Sequence, residues 1–439
     1  MKQVWDGRYT GIRMCNQLLE NIDRVPDLDP ELKKRYIGEA KVLRAYNYYE
    51  LYTKFGDVPY TTKVLSIKES MSIARTDRAT VIANMLADLD EVINGNYLPA
   101  SYDADNKGRI TRWAAMAIKA KIYLFEGNWT QVKNITSTIM TEGGFRLFGS
   151  YAGLFEIANE YNSEVILDAQ YRPTSREHQM MYAFLPPSLG GYSQLSPLQE
   201  LVDSYIMLDG KTIRETGTSF DESNPYANRD PRLKATVMYT GNSYTLADGT
   251  EVVINCEKGE GKDGYGVGSD CSATGYYIKK YWDNTYRATL YSGLNPILIR
   301  YADILLMNAE ALAELGELDK TAWDATIKPI RDRAGFTLAS AVEFPEGASK
   351  DKLIEIVRNE RRSELALEGH RHKDIIRWRI ADDVLNGWCH GLKTNEVVGT
   401  DNGYVRVENR AFNANKHYLW PIPQAERDLN GNLVQNPNW

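Results

Sequence analysis

No apolar run in this 439-residue chain approaches the ~18 residues that a membrane-spanning helix needs. Residues 1–30 also lack the basic and apolar regions of a secretory leader. Cysteine is scarce: the four, at 15, 256, 271 and 389, are too few for a disulfide scaffold, and none form CxxC. Cys256 and Cys271 share one loop-like stretch, so they can close a disulfide in an oxidising compartment or stay as two buried thiols. A basic excess is missing too. With 52 Lys and Arg against 59 Asp and Glu, the net charge is −7, which argues against nucleic acid as a partner.

Catalytic and metal signatures are equally thin. GxSxG, HExxH, P-loop and EF-hand patterns do not occur. The run GEGKDGYGVG at 259–268 lacks the closing Lys-Ser/Thr of a phosphate loop and reads as a flexible turn. His370 and His372 diverge by roughly 160° on a helix and cannot share a metal there. Asp263 and Asp270 offer a Ca²⁺ loop only two carboxylates. Among 59 acids no glycosidase pair can be singled out. The expectation is a protein without cofactor that is not an enzyme.

What is present is helical periodicity. Gly38–Tyr60, GEAKVLRAYNYYELYTKFGDVPY, places Ala40, Leu43, Tyr46, Tyr48, Tyr49, Leu51 and Tyr52 more than halfway round a helical wheel. Gly56 can take a positive-φ cap, and Pro59 stops the helix. Arg112–Phe125 carries a stripe of Trp113, Met116, Ala117, Ala120 and Leu124, and a return helix follows from Asn128 through Val132, Ile135 and Ile139 to Gly143-Gly144. This hairpin is about as long as a tetratricopeptide unit, ~34 residues. A second hairpin is predicted from Asn295-Pro296, with Asn as N-cap and Pro in the first turn, to Gly316, returning through Trp323 to Ala334. Pro329 should kink or break that return helix. The charged run from Glu360 through Arg361, Glu364, Glu368, Arg371 and Asp374 to Arg377 is expected to pair structurally across helices.

Several of these segments resemble the SusD/RagB family of bacterial surface nutrient-binding lipoproteins. The resemblance lies in Gly38–Tyr60, in PLQELVDSYIMLDGK (197–211), NPILIRYADILLMNAEALAELG (295–316), IRDRAGF (330–336), NERRSELALEGHRHKDIIRW (359–378) and YLWPIPQAERDLNGNLVQNPNW (418–439). These six stretches occur in the family's order. The resemblance implies a mostly α fold, in which tetratricopeptide-like hairpins build a superhelical scaffold and a loop-rich lobe contains short β-hairpins. It implies one SusD-like domain over 1–439. Residues 1–144 and 295–380 would form the scaffold, 145–294 the ligand-binding lobe, and 381–439 a C-terminal segment packing on the scaffold. Family members begin with a signal peptide and a lipidated Cys. Trp5–Ile22 already looks like the helix just upstream of the signature, so the anchor segment is expected to lie outside this chain, and Cys15 is not the lipid-bearing residue.

Residues 145–295 lose helical periodicity, and 240–295 hold nine Gly and seven Tyr. Glu251–Asn255 and Tyr276–Tyr281 alternate like hairpin strands. Tyr and Trp, 28 and 9, far outnumber the 10 Phe; such rings cover the apolar face of a sugar and keep a polar group for hydrogen bonding. Aromatics outside helical stripes are the better candidates. Trp282 and Tyr286 are therefore expected to stack on a sugar, with Asn284 and Arg287 as hydrogen-bond donors. Tyr265, Tyr281 and Tyr291 join them, followed by Tyr182 and Tyr192. The family resemblance implies a lipid-anchored outer-membrane protein at the cell surface. It would bind a glycan or oligosaccharide and act as lid to a SusC-like TonB-dependent transporter. The rival readings are a RagB-like peptide-binding lid and a protein–protein scaffold.

Overall fold

The computed structural model describes residues 1–285 and 290–439. The chain is mostly helical, and its strands form only small antiparallel sheets. It divides into two compact units: Met1–Gly143 with His372–Leu385 and Phe412–Trp439, and Gly144–Arg371 with Asn386–Ala411. The helices between residues 301 and 364 thus group with the loop-rich region, whereas the family resemblance implied a scaffold shared with residues 1–144. The last sixty residues are likewise shared between the two units.

The first unit is built from α1 (Lys2–Asn21), α2 (Pro30–Phe55), α3 (Arg78–Asn94), α4 (Arg112–Phe125) and α5 (Trp129–Glu142). Side-chain caps start four of them: Asp29, Asp77, Thr111 and Asn128 each accept a backbone N–H from the first turn. Gly56 ends α2 at φ 71°, the left-handed region that disfavours a Cβ. Helix α2 packs against both α1 and α3. Tyr48, Tyr49, Leu51, Tyr52 and Phe55 are buried on it, but Leu43, expected inside, is 43% exposed. It falls on the narrow strip of the wheel that no neighbour covers. Asn16 of α1 accepts from Arg44 of α2, whose guanidinium grips Asp88 of α3 with two bonds of 2.9 and 3.0 Å. The tail is tied on by Asn436, which donates to Phe55 O and Trp420 O at 2.9 and 2.7 Å.

The second unit holds strands β1 (Val165–Asp168), β2 (Val237–Met238), β3 (Ser243–Thr245), β4 (Glu251–Val253), β5 (Tyr277–Ile278), β6 (Ile297–Arg300), β7 (Gly387–Lys393), β8 (Thr400–Asp401) and β9 (Tyr404–Arg410). They pair as β1–β6, β2–β5, β3–β4 and β7–β9–β8. Both stretches expected as strands contain one, though their partners are β3 and β2 rather than each other. Its long helices are α6 (Tyr301–Leu315), α7 (Lys320–Ala334) and α8 (Lys350–Glu364). One expectation needs correction here, and of the kink or break expected at Pro329 the break does not occur. Asn295-Pro296 leads into β6 and not into a helix; the buried Asn295 side chain accepts from Tyr171 N at 2.6 Å and donates to Asp168, so it is not free to cap. Helix α7 also runs through Pro329 without a break. Trp323 before the proline bonds Val342 O at 2.9 Å, and Arg331 after it bonds Glu360 at 2.8 Å, which secures the helix on both sides.

At the centre of this unit lies a buried ion network. Glu364 receives Arg232 and Arg300 at 2.8 and 2.6 Å, and also Arg333. Arg300 continues to Glu164 and Glu368, both at 2.7 Å, and Lys280 joins Glu368 at 2.6 Å. Arg232 also reaches Asp230 and Glu360. Burial alone would raise the Glu364 carboxyl, but the guanidiniums of Arg333, Arg300 and Arg232 outweigh it and hold the group well below the usual carboxylate range. Glu360 and Glu368 are lowered for the same reason. The structural pairing expected for this charged run is present for Glu360, Glu364 and Glu368, and Arg361 pairs with Asp303 at 2.6 Å.

Removing one partner of such a network leaves buried charge unpaired, so Arg300→Met is expected to lower unfolding free energy by about 3–5 kcal/mol, read from urea midpoints at constant m-value. An unchanged midpoint would contradict the network's role. Because these carboxylates titrate lower folded than unfolded, their contribution is complete above pH ~4.5 and drains away as pH falls below it. The short sheet carries the opposite dependence. His390 Nδ1 lies 2.8 Å from Glu200 and Nε2 3.0 Å from Asp401. Burial disfavours the imidazolium, yet the bonds to Asp401 and Glu200 prevail and raise His390 above its ordinary value. That contribution is complete below pH ~6.5 and is lost as pH rises through the folded-state value. Amide protection factors in 387–410, which are normalised for base-catalysed intrinsic exchange, are expected to fall over that rise, and the His390→Gln variant should show no such step.

Candidate functional site

The β1–β6 ladder sets the base of the region where the sequence pointed. Val165 faces Arg300 and Asp168 faces Ile297. Beyond β1 the chain turns at Arg172–Arg176, then His178 pairs with Ser292 in an isolated antiparallel bridge. The His178 Nε2 donates to Leu294 O at 2.8 Å. Gly293 is required at this crossing: an ideal Cβ there would sit 2.3 Å from Pro173 N. The loop leading in is closed by Asp283, which is buried, accepts from Thr285 N at 2.9 Å, and takes the Ser292 hydroxyl on its other oxygen. Asn295 N donates to Glu160 at 2.7 Å. Residues 160–195 and 290–295 are therefore braced against each other by backbone and buried polar groups, with Asp283 tied to the same base through Ser292.

This brace carries tyrosines. Among the described residues only Tyr161, Tyr192 and Tyr291 are exposed tyrosines, at 39, 41 and 41%, and all three lie on these two segments. The Tyr161 hydroxyl donates to Gln170 at 2.6 Å, and Tyr171 meets His178 edge-on at 4.7 Å. Arg176 lies over the Tyr171 ring at 5.3 Å. Tyr182 and Tyr192 lie against each other with centroids 4.3 Å apart at 31°, and the Tyr192 N–H donates to Tyr182 O at 2.9 Å. Burial raises the carboxyls of Glu160 and Asp168 above their ordinary values. The arrangement offers flat rings, phenol hydroxyls and amides.

The residues singled out from the sequence fare differently. Tyr291 is exposed, and Asn284 is exposed beside it in sequence. Trp282 is half-buried; its ring packs 5.1 Å from Tyr244 and its Nε1–H donates to Thr245 O at 2.9 Å. Tyr265 is half-buried against the same hydrophobic core. Tyr281 must be corrected: at 7% exposure it is a core residue, packed edge-on to Phe155 at 4.9 Å, and offers no face to a sugar. Tyr286 and Arg287 lie outside the described residues. Asp263 is buried and accepts from Ser188 N at 2.8 Å, while Asp270 is exposed. Among the described residues no group of three or more His, Cys, Asp or Glu is arranged to hold a metal. All four cysteines are unpaired in this structure; Cys256 is buried, whereas Cys271 is only half-buried.

Sequence reasoning missed Tyr161 and Tyr171. Their signal was weak, a tyrosine flanked by Asn and Glu in one case and by an Arg-Pro turn in the other. It missed also a cavity of about 610 Å³ in the same unit, where Tyr226, Tyr276 and Tyr404 line the wall. Tyr226 stacks on Tyr239 at 3.9 Å and 14°. Pairing of β9 with β7 brings Tyr404 there from far along the chain, which no local pattern announces.

Comparison with known proteins agrees with the fold. Residues 154–439 match the SusD family, and residues 1–124 match the family described as starch-binding, associating with outer membrane. A SusD-like carbohydrate binding protein from Bacteroides fragilis superposes with a TM-score of 0.89 at 30% identity, covering 99% of this chain and 86% of that one. A laminarin binding SusD-like protein gives a TM-score of 0.69 at 25% identity, covering 100% and 86%. The SusD-like protein P25 of Formosa agariphila is 28% identical over 99% of this chain and 78% of its own. With one family match spanning more than half of its length, the chain belongs to the SusD family.

Proposed function

We propose that this protein captures a glycan or oligosaccharide at the outer membrane and passes it, uncleaved, to a SusC-like TonB-dependent transporter. In this reading the protein is lipid-anchored at the cell surface and serves as the transporter's lid. Family membership supports carbohydrate as the ligand and the outer membrane as the place. The observation that carries the site is that, among the described residues, the three exposed tyrosines all fall on one braced pair of segments. Tyr192 and Tyr291 would stack on sugar rings, with Tyr182 backing Tyr192. Asn284 would supply a hydrogen bond, and Trp282 the edge of the platform. Tyr286 and Arg287 belong to the same proposal by their place in the loop.

The energetics suit capture and release. A ring stacked on a sugar contributes through apolar contact while its hydroxyl stays bonded, and rigid Tyr loses little entropy on binding. An open face buries less of the ligand than a deep pocket, so binding is reversible enough for hand-over. No bond need break for delivery.

The test is calorimetric titration of the purified chain against laminarin, other polysaccharides and a peptide panel, with product analysis of each mixture. Saturable glycan binding without released sugars is expected. Tyr192→Ala and Tyr291→Ala should each weaken it about ten-fold, roughly 1.4 kcal/mol, whereas Tyr281→Phe should leave it unchanged. Loss through Tyr404→Ala instead would move the site to the 610 Å³ cavity. Peptide binding alone would transfer the protein to the RagB-like reading, and released sugars would end the non-catalytic one.

A further inference from the structure

The first unit contains a cavity of about 500 Å³ whose lining includes Arg78, Arg377, Arg379 and Lys416 and no carboxylate. In a chain of net charge −7 that concentration of cations is unexpected, and its volume lies within the range of small-ligand sites, about 300–1,000 Å³. Two of the four are neutralised. Arg78 pairs with Glu126, and Arg377 with Asp374 at 2.9 Å. Arg379 and Lys416 have no carboxylate within ion-pair distance among the described residues. Aromatic rings hold them instead. The Arg379 guanidinium lies 4.0 Å from the centroid of Tyr418, and the Lys416 ammonium 4.2 Å from that of Trp439. Such contacts orient a cation without cancelling its charge.

Arg379 itself is the residue that ends its helix, at φ +58°, with its N–H on Ile376 O and the Ile380 N–H on Ile375 O. The Tyr52 phenol is buried in the wall, and burial together with the nearby Glu126 carboxylate, to which it is turned, holds its pKa well above the ordinary value. Thr53 and Asn415 add neutral polar groups. The Asp382 carboxylate near this wall accepts from the Tyr418 hydroxyl at 3.0 Å. A guanidinium fork and an ammonium that both lack a counter-ion, in one cavity whose lining holds no carboxylate, make a receptor for a planar or tetrahedral oxyanion.

We propose that this cavity is an oxyanion site that takes the carboxylate or sulfate group of an acidic saccharide. The saccharide part rests on the carbohydrate reading above; the oxyanion part does not.

The experiment uses the whole chain and two probes at fixed ionic strength: sodium sulfate, and oligogalacturonate against a neutral galacto-oligosaccharide of equal length. Binding is followed by calorimetry and by amide chemical shifts of residues 377–380 and 414–419. Sulfate is expected to saturate, with shifts confined to those residues. Oligogalacturonate should bind more tightly than sulfate, and the neutral chain should move none of these shifts. Arg379→Ala with Lys416→Ala should weaken both anions at least ten-fold while circular dichroism and melting temperature stay put. If the double variant melts early, Lys416→Gln alone, which keeps the ring contact of the stem, carries the same expectation. Sulfate binding that survives these changes, or no saturation above the sodium chloride control, overturns the site. Sulfate saturation with oligogalacturonate no tighter keeps the oxyanion site and overturns the saccharide assignment. Neither result touches glycan binding at Tyr192 and Tyr291, which is scored by its own variants.

Discussion

Pairing of buried charge is the constraint on which the second unit depends. Residues 144–295 contain few long helices or strands, so they cannot define their own position through a repeating apolar stripe. Charges do it for them. Glu164 precedes β1, Arg232 sits in a short helix, Lys280 follows β5, Arg300 ends β6, Arg333 lies on α7, and Glu364 ends α8; all are almost fully buried and meet in one network. Apolar contacts tolerate sliding by an ångström or two. A buried guanidinium does not, because any shift that breaks its bonds exposes the cost of desolvation. Replacing such a network by well-packed apolar side chains can be neutral or even stabilising, so its value here lies in position more than in strength. The candidate face inherits that position. Lys280 anchors the start of its loop through Glu368, Ala366 O and the Tyr151 hydroxyl, and Asn295 anchors the end.

Much of the helical part was legible in the sequence, for a physical reason. Helix α4 was read as Arg112–Phe125 and is found with those bounds, because its stripe, its cap at Thr111 and its stop are all encoded within one stretch. The errors arise where the deciding partner is distant. Pro329 breaks a helix by local rules, yet Trp323 and Arg331 hold α7 through contacts to Val342 and Glu360. Asn295-Pro296 looks like a helix start, yet Ile297 and Ile299 pair with β1. Tyr281 and Trp282 are neighbours of similar chemistry in a Gly-rich loop, and only the fold decides that one ring is buried and the other half-covered. The grouping of α6–α8 with the loop-rich region is of the same kind, since the network that joins them is spread over more than two hundred residues of sequence.

The abundance of tyrosine has a structural origin before it has a functional one. Irregular backbone leaves carbonyl groups without ladder partners, and buried carbonyls need a donor. Tyrosine supplies apolar bulk and that donor together. Tyr244 donates to Ile278 O at 2.7 Å, Tyr277 to Asp263 O at 2.5 Å and Tyr151 to Glu364 O at 3.1 Å in the second unit. Tyr9 and Tyr48 do the same for Pro59 O and Thr61 O in the first. Phenylalanine at these positions would leave a carbonyl dry and unpaired, at a cost of about 1–3 kcal/mol. The composition that suggested sugar stacking is thus mostly a consequence of building a core from loops. What bears on ligand binding is the remainder: Tyr161, Tyr192 and Tyr291, which stay exposed on segments braced against each other.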